Sequence, residues 1–238
     1  MRCEATGIFQ IRNVKECIII ERINKFAAKI ILDGKIQTAY INNTGRLLNY
    51  LSRGQKGFCI MHERDLKTDC RLFAVKEDSL AAIIDTHLQM KALERIIMLN
   101  LLPWMRGCRI LKRNAKLNVS YIDYLLECEE EKTYLEVKSA VLRSNKYAMY
   151  PDCPSPRGRR HIMELTDYAK RGGCGIILFI AALPNVEAFK PNSSADPKIA
   201  QLLLEAEKAG VEIRALEMYY NPKDNYFYLS KPDLPVEF

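Results

Sequence analysis

The chain has no apolar run approaching the roughly 18 residues of a membrane span. Its longest, near Ile176–Leu183, is strand length. The start, Met1-Arg2-Cys3-Glu4, shows no apolar segment of the secretory kind, so the expected compartment is the cytoplasm and no membrane partner is expected. The eight cysteines (Cys3, Cys17, Cys59, Cys70, Cys108, Cys128, Cys153 and Cys174) include no two within ten residues of each other. A zinc ribbon or knuckle needs close pairs, because one turn must present two thiolates to one metal. The expectation is therefore mostly reduced core cysteines and no disulfide framework, a hyperthermophile cytosol being the exception. Repeats and low-complexity segments are absent, which excludes fibrous and disordered classes. What remains is ordinary globular composition over 238 residues, 48% hydrophobic and 27% charged. That is enough chain for one large or two small domains.

The net charge is +7, unevenly spread. Residues 1–75 carry +6, 76–137 carry −1, 138–171 carry +5 and 172–238 carry −3. Two basic blocks flank a neutral one, a distribution that suits a polyanion such as DNA. A solvated surface explains the same charges equally well.

The first part reads as short strands with glycine turns: Glu16–Ile23, Phe26–Leu32 ending at Asp33-Gly34, Ile36–Ile41, and Phe58–Met61. Such a pattern suggests a small barrel. From Ser79 to Leu102 the apolar spacing is helical and Pro103 closes it, which puts the domain boundary near 74–79, with domains 1–76 and 77–238. Gly107–Leu111, Val119–Leu126 and Thr133–Val137 read as strands, and Lys138–Pro156 as a long loop. Arg157–Arg171 is an amphipathic helix, Gly175–Leu183 a buried strand, and Asp196 to Gly210 a second helix leading to a strand over Val211–Met218. Strand, helix, strand at that length is a parallel crossover. Tyr226–Leu229 adds an edge strand. The fold class is α+β to α/β in two domains: a small barrel, then an α/β domain with a mixed sheet.

Chemistry concentrates around Asp123, a charge inside an otherwise apolar strand. Burying a lone carboxylate costs several kcal/mol, roughly, unless it is paired or ligates a metal. On the following strand, alternation puts Tyr134, Glu136 and Lys138 on one face. A hairpin symmetric about Glu129–Glu130 pairs residue i with residue 259 − i, so Asp123 lies opposite Glu136 and Lys138 opposite Tyr121. Two carboxylates suit a hard cation, Mg²⁺ or Mn²⁺. Lys138 beside such an ion would have its pKa pushed down and could orient or deprotonate a water, or stabilise the pentavalent transition state. A structural pairing of Asp123 with Arg109 or Lys112 is the competing reading.

Asp123, a hairpin, then Glu136-Val137-Lys138 resembles the core of the restriction-endonuclease-like nucleases, the PD-(D/E)XK fold. That family often adds an acidic residue from the preceding helix, and Glu94 is the candidate third metal ligand. The resemblance is closer to the sugar fermentation stimulation protein A family. Asn43-Thr44-Gly45-Arg46 resembles that family's Pro-Asn-Thr-Gly loop. Ile122-Asp123-Tyr124 and Tyr134-Leu135-Glu136-Val137-Lys138-Ser139 resemble its core strands. Pro151-Asp152 followed by Arg157-Gly158-Arg159-Arg160-His161 resembles its Pro-Asp…Arg-Gly-x-x-His segment. The resemblance runs from about Val14 to Met218. Asn42 and Ile122 stand where the patterns have Pro, and neither removes a reactive group. The resemblance implies an N-terminal OB-like barrel, a restriction-endonuclease-like second domain, and DNA binding.

The expected function is thus DNA binding with Mg²⁺-dependent phosphodiester hydrolysis, in which Asp123, Glu136 and Lys138 act. Arg157, Arg159, Arg160 and His161 would hold phosphate at a helix start, and Asn43, Thr44 and Arg46 would contribute from the barrel, although a plain turn also explains Asn43-Thr44-Gly45. Phe58, Phe26 and Tyr40 are candidate stacking residues. RNA is left open as a partner, as is a homodimer. The alternative is a non-catalytic DNA-binding regulator of sugar-metabolism genes with a vestigial site. His62 and His87 have no evident partners.

Overall fold

The computed structural model describes residues 5–61 and 68–238; Cys3 and His62 lie outside them. β1 (Thr6–Gln10) precedes a meander of β2 (Val14–Asn24), β3 (Ala27–Leu32) and β4 (Lys35–Tyr40), followed by β5 (Lys56–Met61) and β6 (Cys70–Glu77). Asp33 and Gly34 turn β3 into β4 with φ of 50° and 75°, the backbone that Asp-Gly supplies most readily. Alternation in β2 and β3 sends Cys17, Ile19, Ala28, Ile30 and Leu32 inward. β4 meets β6 in parallel at Ala39↔Cys70 and Tyr40↔Arg71, closing β4-β3-β2-β5-β6 into a five-stranded barrel. Phe58 is 2% exposed in its core, which removes it as a stacking platform.

The helix expected over 79–102 is divided in two. Leu80–Ile83 is a strand, β7, paired with β6, and the helix α1 spans Thr86–Met98. Asp85 sets the start: its Oδ1 accepts the Leu88 N–H at 2.8 Å while Arg71 pairs with the same carboxylate. Hydrophobic spacing alone does not separate a short buried strand from a first helical turn. Arg71 also gives His87 a partner at 3.3 Å.

The second half builds on β8 (Arg109–Leu117), β9 (Ser120–Cys128) and β10 (Glu131–Ser139), an antiparallel meander. The expected long loop at 138–156 instead holds β11 (Leu142–Ser144) and β12 (Tyr147–Tyr150); strands of three and four residues fall below what alternation can reveal. Helix α2 (Pro156–Lys170) crosses to β13 (Cys174–Ala181), which runs parallel to β10. After β14 (Ala188–Pro191), helix α3 (Pro197–Lys208) leads to β15 (Glu212–Asn221), parallel to β13. β16 (Tyr226–Lys231) is not an edge, because β1 pairs its far side. β7 meets β15 at Ala81↔Tyr220, so barrel and second half share one continuous sheet.

Cys17, Cys59, Cys70, Cys153 and Cys174 are free thiols, as expected, and one cysteine pair departs from that expectation. Cys108 and Cys128 form a disulfide. The β8–β9 register pairs Arg109 with Glu127, which brings the next residues outward, Cys108 and Cys128, together. Proximity came from strand pairing, and spacing along the chain did not show it.

Candidate metal and nucleic-acid site

The expected hairpin register holds from Glu131↔Cys128 to Leu135↔Tyr124. Beyond it, side chains take over the backbone groups. Asp123 Oδ2 accepts the Val137 N–H at 2.8 Å, and Glu136 Oε2 accepts the Asp123 N–H at 3.4 Å. The two carboxylates are therefore neighbours on adjacent strands, as alternation required. Arg109 pairs with Glu127, so one of the two structural partners considered for Asp123, the other being Lys112, is engaged elsewhere.

Glu136 is the hub. Its Oε1 accepts from Lys138 Nζ at 2.5 Å and lies 2.5 Å from His161 Nδ1. Glu136 and His161 are each 2% exposed, and Lys138 is 8% exposed. An ionised carboxylate only accepts, so Nδ1 carries the proton and Nε2 is the acceptor. Arg157 Nε donates to that Nε2 at 3.4 Å. The result is a chain from the start of α2 to the end of β10: Arg157, His161, Glu136, Lys138. His161 is thereby spent on Glu136 instead of standing free for a phosphate.

The electrostatics follow from burial and neighbours. Burial pushes the Asp123 carboxyl up, and the Glu136 charge pushes it further, to about 6. Burial also pushes Glu136 up, but the Lys138 charge and the His161 hydrogen bond outweigh it and hold Glu136 below the usual carboxylate range. Burial pushes Lys138 down, and the Glu136 charge outweighs that, so its pKa stands above the ordinary value. Without an ion, the nearest carboxylate is 2.5 Å away and keeps the ammonium charged; the expectation of a depressed lysine concerned the ion-bound site.

Other expected members are placed differently. Glu94 takes both Arg113 nitrogens, at 2.6 and 2.8 Å, and the Tyr124 hydroxyl at 3.0 Å. Tyr124 is the neighbour whose side chain alternates away from the Asp123 face, so Glu94 is not brought to the pair. Arg159 is bound to both Asp196 oxygens, and Asp196 also takes the Ser155 N–H at 3.0 Å. That fastens α2 to the start of α3 and leaves Arg159 no phosphate to hold. Arg160 leans on Ser120 Oγ at 3.3 Å, which in turn donates to Glu164. Arg157 alone of the three arginines joins the Glu136 chain.

The barrel loop comes to the same region. Asn43 bonds the Ile84 carbonyl and its own loop's Gly45 N–H, each at 2.9 Å, which is the turn reading of this residue. Leu47 N–H donates to Asp152 Oδ2 at 3.0 Å. Two segments far apart in sequence, 43–47 and 151–152, therefore dock on one another. Gly45 is required there, since an added Cβ would sit 2.6 Å from Asp152 Oδ2. Gly158 is required in the same way by the Tyr150 hydroxyl and Ser155 Oγ. Arg22, which sequence reasoning passed over, ties the loop down through the carbonyls of Asn43, Gly45 and Arg46. A lone arginine on an alternating strand carried no signal of that role. Thr44 and Arg46 remain exposed.

The comparisons with known proteins agree with this layout. Residues 20–84 match the SfsA N-terminal OB domain, and residues 87–224 match the sugar fermentation stimulation protein RE domain. The chain belongs to the sugar fermentation stimulation protein family. It is 47% identical over 221 residues to the family's homolog from Pyrococcus furiosus, covering 93% of this chain and 95% of that one. It is 40% identical over 230 residues to the Archaeoglobus fulgidus homolog, covering 96% and 98%. It is also similar to the solved structure of Pyrococcus furiosus SfsA in complex with Ca²⁺, with a TM-score of 0.94 and 44% identity over 98% of this chain and 100% of that one. The OB domain of the family is the five-stranded barrel described above, and the family's RE domain carries the Asp123–Glu136 hairpin.

The carboxylate pair fits a hard divalent cation. Asp123 is raised by burial and by Glu136, and a cation between them relieves that repulsion. Among the described residues no cluster of three or more His, Cys, Asp and Glu side chains is spaced to hold an ion. An ion here would complete its shell with backbone oxygens, water or phosphate, as Mg²⁺ commonly does.

Proposed function

We propose that the chain is a Mg²⁺- or Mn²⁺-dependent nuclease that hydrolyses phosphodiester bonds of DNA. The observation that carries this reading is the Asp123–Glu136 pair with Lys138 on the β9–β10 hairpin. A relative 44% identical to this chain was solved with Ca²⁺, another hard, oxygen-seeking cation, which supports it. When bound, the ion would neutralise a phosphate oxygen and acidify a water. Asp123 and Glu136 supply the oxygens. His161 fixes the rotation of the Glu136 carboxylate. Lys138, held as an ammonium, places positive charge where the pentavalent phosphate accumulates negative charge, and acts as an electrostatic group instead of a base.

A second reading has its own observation. Glu136 is already compensated by Lys138 and His161, so the cluster can stand as a structural knot in a DNA-binding regulator. The test is cleavage of plasmid, single-stranded DNA and RNA with Mg²⁺ or Mn²⁺, against an EDTA control. Asp123→Ala and Lys138→Ala proteins are assayed alongside. Cutting should require the ion and fall by about 100-fold or more in both variants. Salt-sensitive DNA retention by all three proteins without any cutting would establish the regulator instead.

A further inference from the structure

The hairpin that carries the carboxylate pair is split at its open end. The register of β9 with β10 stops at Leu135↔Tyr124, while β9 and β8 stay paired as far as Leu117↔Ser120. Asp123 therefore lies on a stretch of β9 that strand pairing no longer holds to β10, and Glu136 lies across the gap. A cation shared by two carboxylates needs both within its coordination reach, roughly 2.0–2.1 Å for Mg²⁺. The width of this gap thus decides whether the pair can share an ion. Among the described residues, few hydrogen bonds cross from residues 114–123 to β10 or α2. Asp123 and Glu136 make two of them. The Tyr134 hydroxyl donates to the Lys116 carbonyl at 2.9 Å. Ser120 Oγ donates to Glu164 Oε1 at 2.7 Å and accepts from Arg160 Nε at 3.3 Å.

Helix α2 spans the gap. His161 and Glu164 are three residues apart and so share one side of the helix. His161 bonds Glu136 on β10, and Glu164 bonds Ser120 at the far end of β9. Less than one helical turn separates the grip on the Glu136 strand from the grip on the Asp123 strand. A turn further on, Tyr168 packs edge-on against Tyr134, with ring centres 5.2 Å apart. Glu164 and Ser120 are 8% and 5% exposed, so water competes little for their bond. The second Glu164 oxygen, Oε2, is buried with no hydrogen-bond partner among the described residues. An open buried acceptor is costly, and a serine hydroxyl needs no carboxylate to be satisfied. A stiff tie accounts for the carboxylate, because hydrogen bonds to an ionised acceptor are shorter and stronger than those to a neutral one.

We propose that Glu164 is a positioning residue of the metal site: through Ser120 it holds the Asp123 strand at the distance from Glu136 that one divalent cation requires. This deepens the nuclease reading above and rests on its metal pair. Glu164 acts on Asp123 through Ser120, three residues back along β9, while His161 acts on Glu136 directly, so one helix orients both carboxylates. Groups that orient metal ligands set affinity through geometry, and losing one commonly costs about 10–100-fold in binding.

The test is Mn²⁺ affinity of the full chain by calorimetric titration at pH 7.5, with the melting temperature of every protein measured beside it. Glu164→Ala and Ser120→Ala should each weaken Mn²⁺ binding by about 10–100-fold. The two together should do no more than either alone, since they remove one tie. Glu164→Gln keeps an acceptor for the Ser120 hydroxyl and should recover most of the affinity. Ser120→Ala removes a single oxygen and carries the test where Glu164→Ala does not fold. The control is Cys108→Ser with Cys128→Ser, which loosens the opposite end of the same hairpin. It should lower Tm and leave the Mn²⁺ affinity unchanged. Unchanged affinity in both Glu164→Ala and Ser120→Ala overturns the positioning role and leaves the nuclease reading standing, and so does equal weakening in the cysteine control. A wild type that binds no Mn²⁺ overturns both.

Discussion

Asp123 is the residue on which the account turns. Its carboxyl is raised to about 6 by burial and by Glu136. The folded state therefore holds a proton that the unfolded chain, with an ordinary Asp pKa near 3.9, has already released. The stabilisation from that proton is complete below the unfolded pKa and lost as pH rises through about 6. Metal-free protein should lose about 1–3 kcal/mol between pH 4 and 7 through this group, and Asp123→Asn should flatten the profile and be the more stable protein at pH 7.5. Denaturant midpoints in EDTA across that range check it; identical profiles for both proteins would contradict it. The position of Asp123 was legible because a charge in an apolar strand and a symmetric hairpin are both one-dimensional signals. The state of Lys138 was not, because it depends on a Glu136 oxygen that it shares with His161, a residue far along the chain.

At the scale of elements, two fastenings shape the second half. Asp196 precedes the first residue of α3, yet its carboxylate also holds Arg159 and the Ser155 N–H, tying α2 to α3. Asp196→Ala leaves the Arg159 charge without its partner and should cost about 2–4 kcal/mol, lowering Tm by roughly 5–10 °C. Calorimetry reads this directly, and a shift under about 2 °C would remove the fastening. The Cys108–Cys128 disulfide closes a loop of sequence separation 20 across the β8–β9 hairpin. Reduction should cost about 3 kcal/mol, and Cys108→Ser with Cys128→Ser should reproduce the loss and be insensitive to reductant. The sequence showed the hairpin strands but not this bond, since β8 bulges between Ile110 and Lys112 and only the paired register brings the sulfurs together. Helix α2 was legible from its apolar stripe and its Gly172-Gly173 stop. β7, β11 and β12 were not, being three or four residues long.

At the scale of the molecule, barrel and second half are joined by the β7–β15 pairing, by the loop 43–47 on Asp152 and by the Arg143–Glu77 pair, among others. Gly45→Ala pushes a methyl against a carboxylate already fixed by Leu47. It should destabilise by about 1–3 kcal/mol and weaken nucleic-acid binding with it, an outcome that thermal melts and anisotropy measure in parallel. The two basic blocks read from the sequence fall one on the barrel and one on the β10–α2 region, the two sides of this junction. The two blocks were legible as charge in the sequence, while their meeting at one junction needed three dimensions.

The central claim is that Asp123 and Glu136 seat a divalent cation. Calorimetric titration of Mn²⁺ into the wild-type protein and into Asp123→Asn at pH 7.5 tests it most directly. The account predicts one site per chain in the wild type, with proton release that grows as pH falls towards about 6, and no such site in the variant. Absence of binding in the wild type, or equal binding in both, would contradict it.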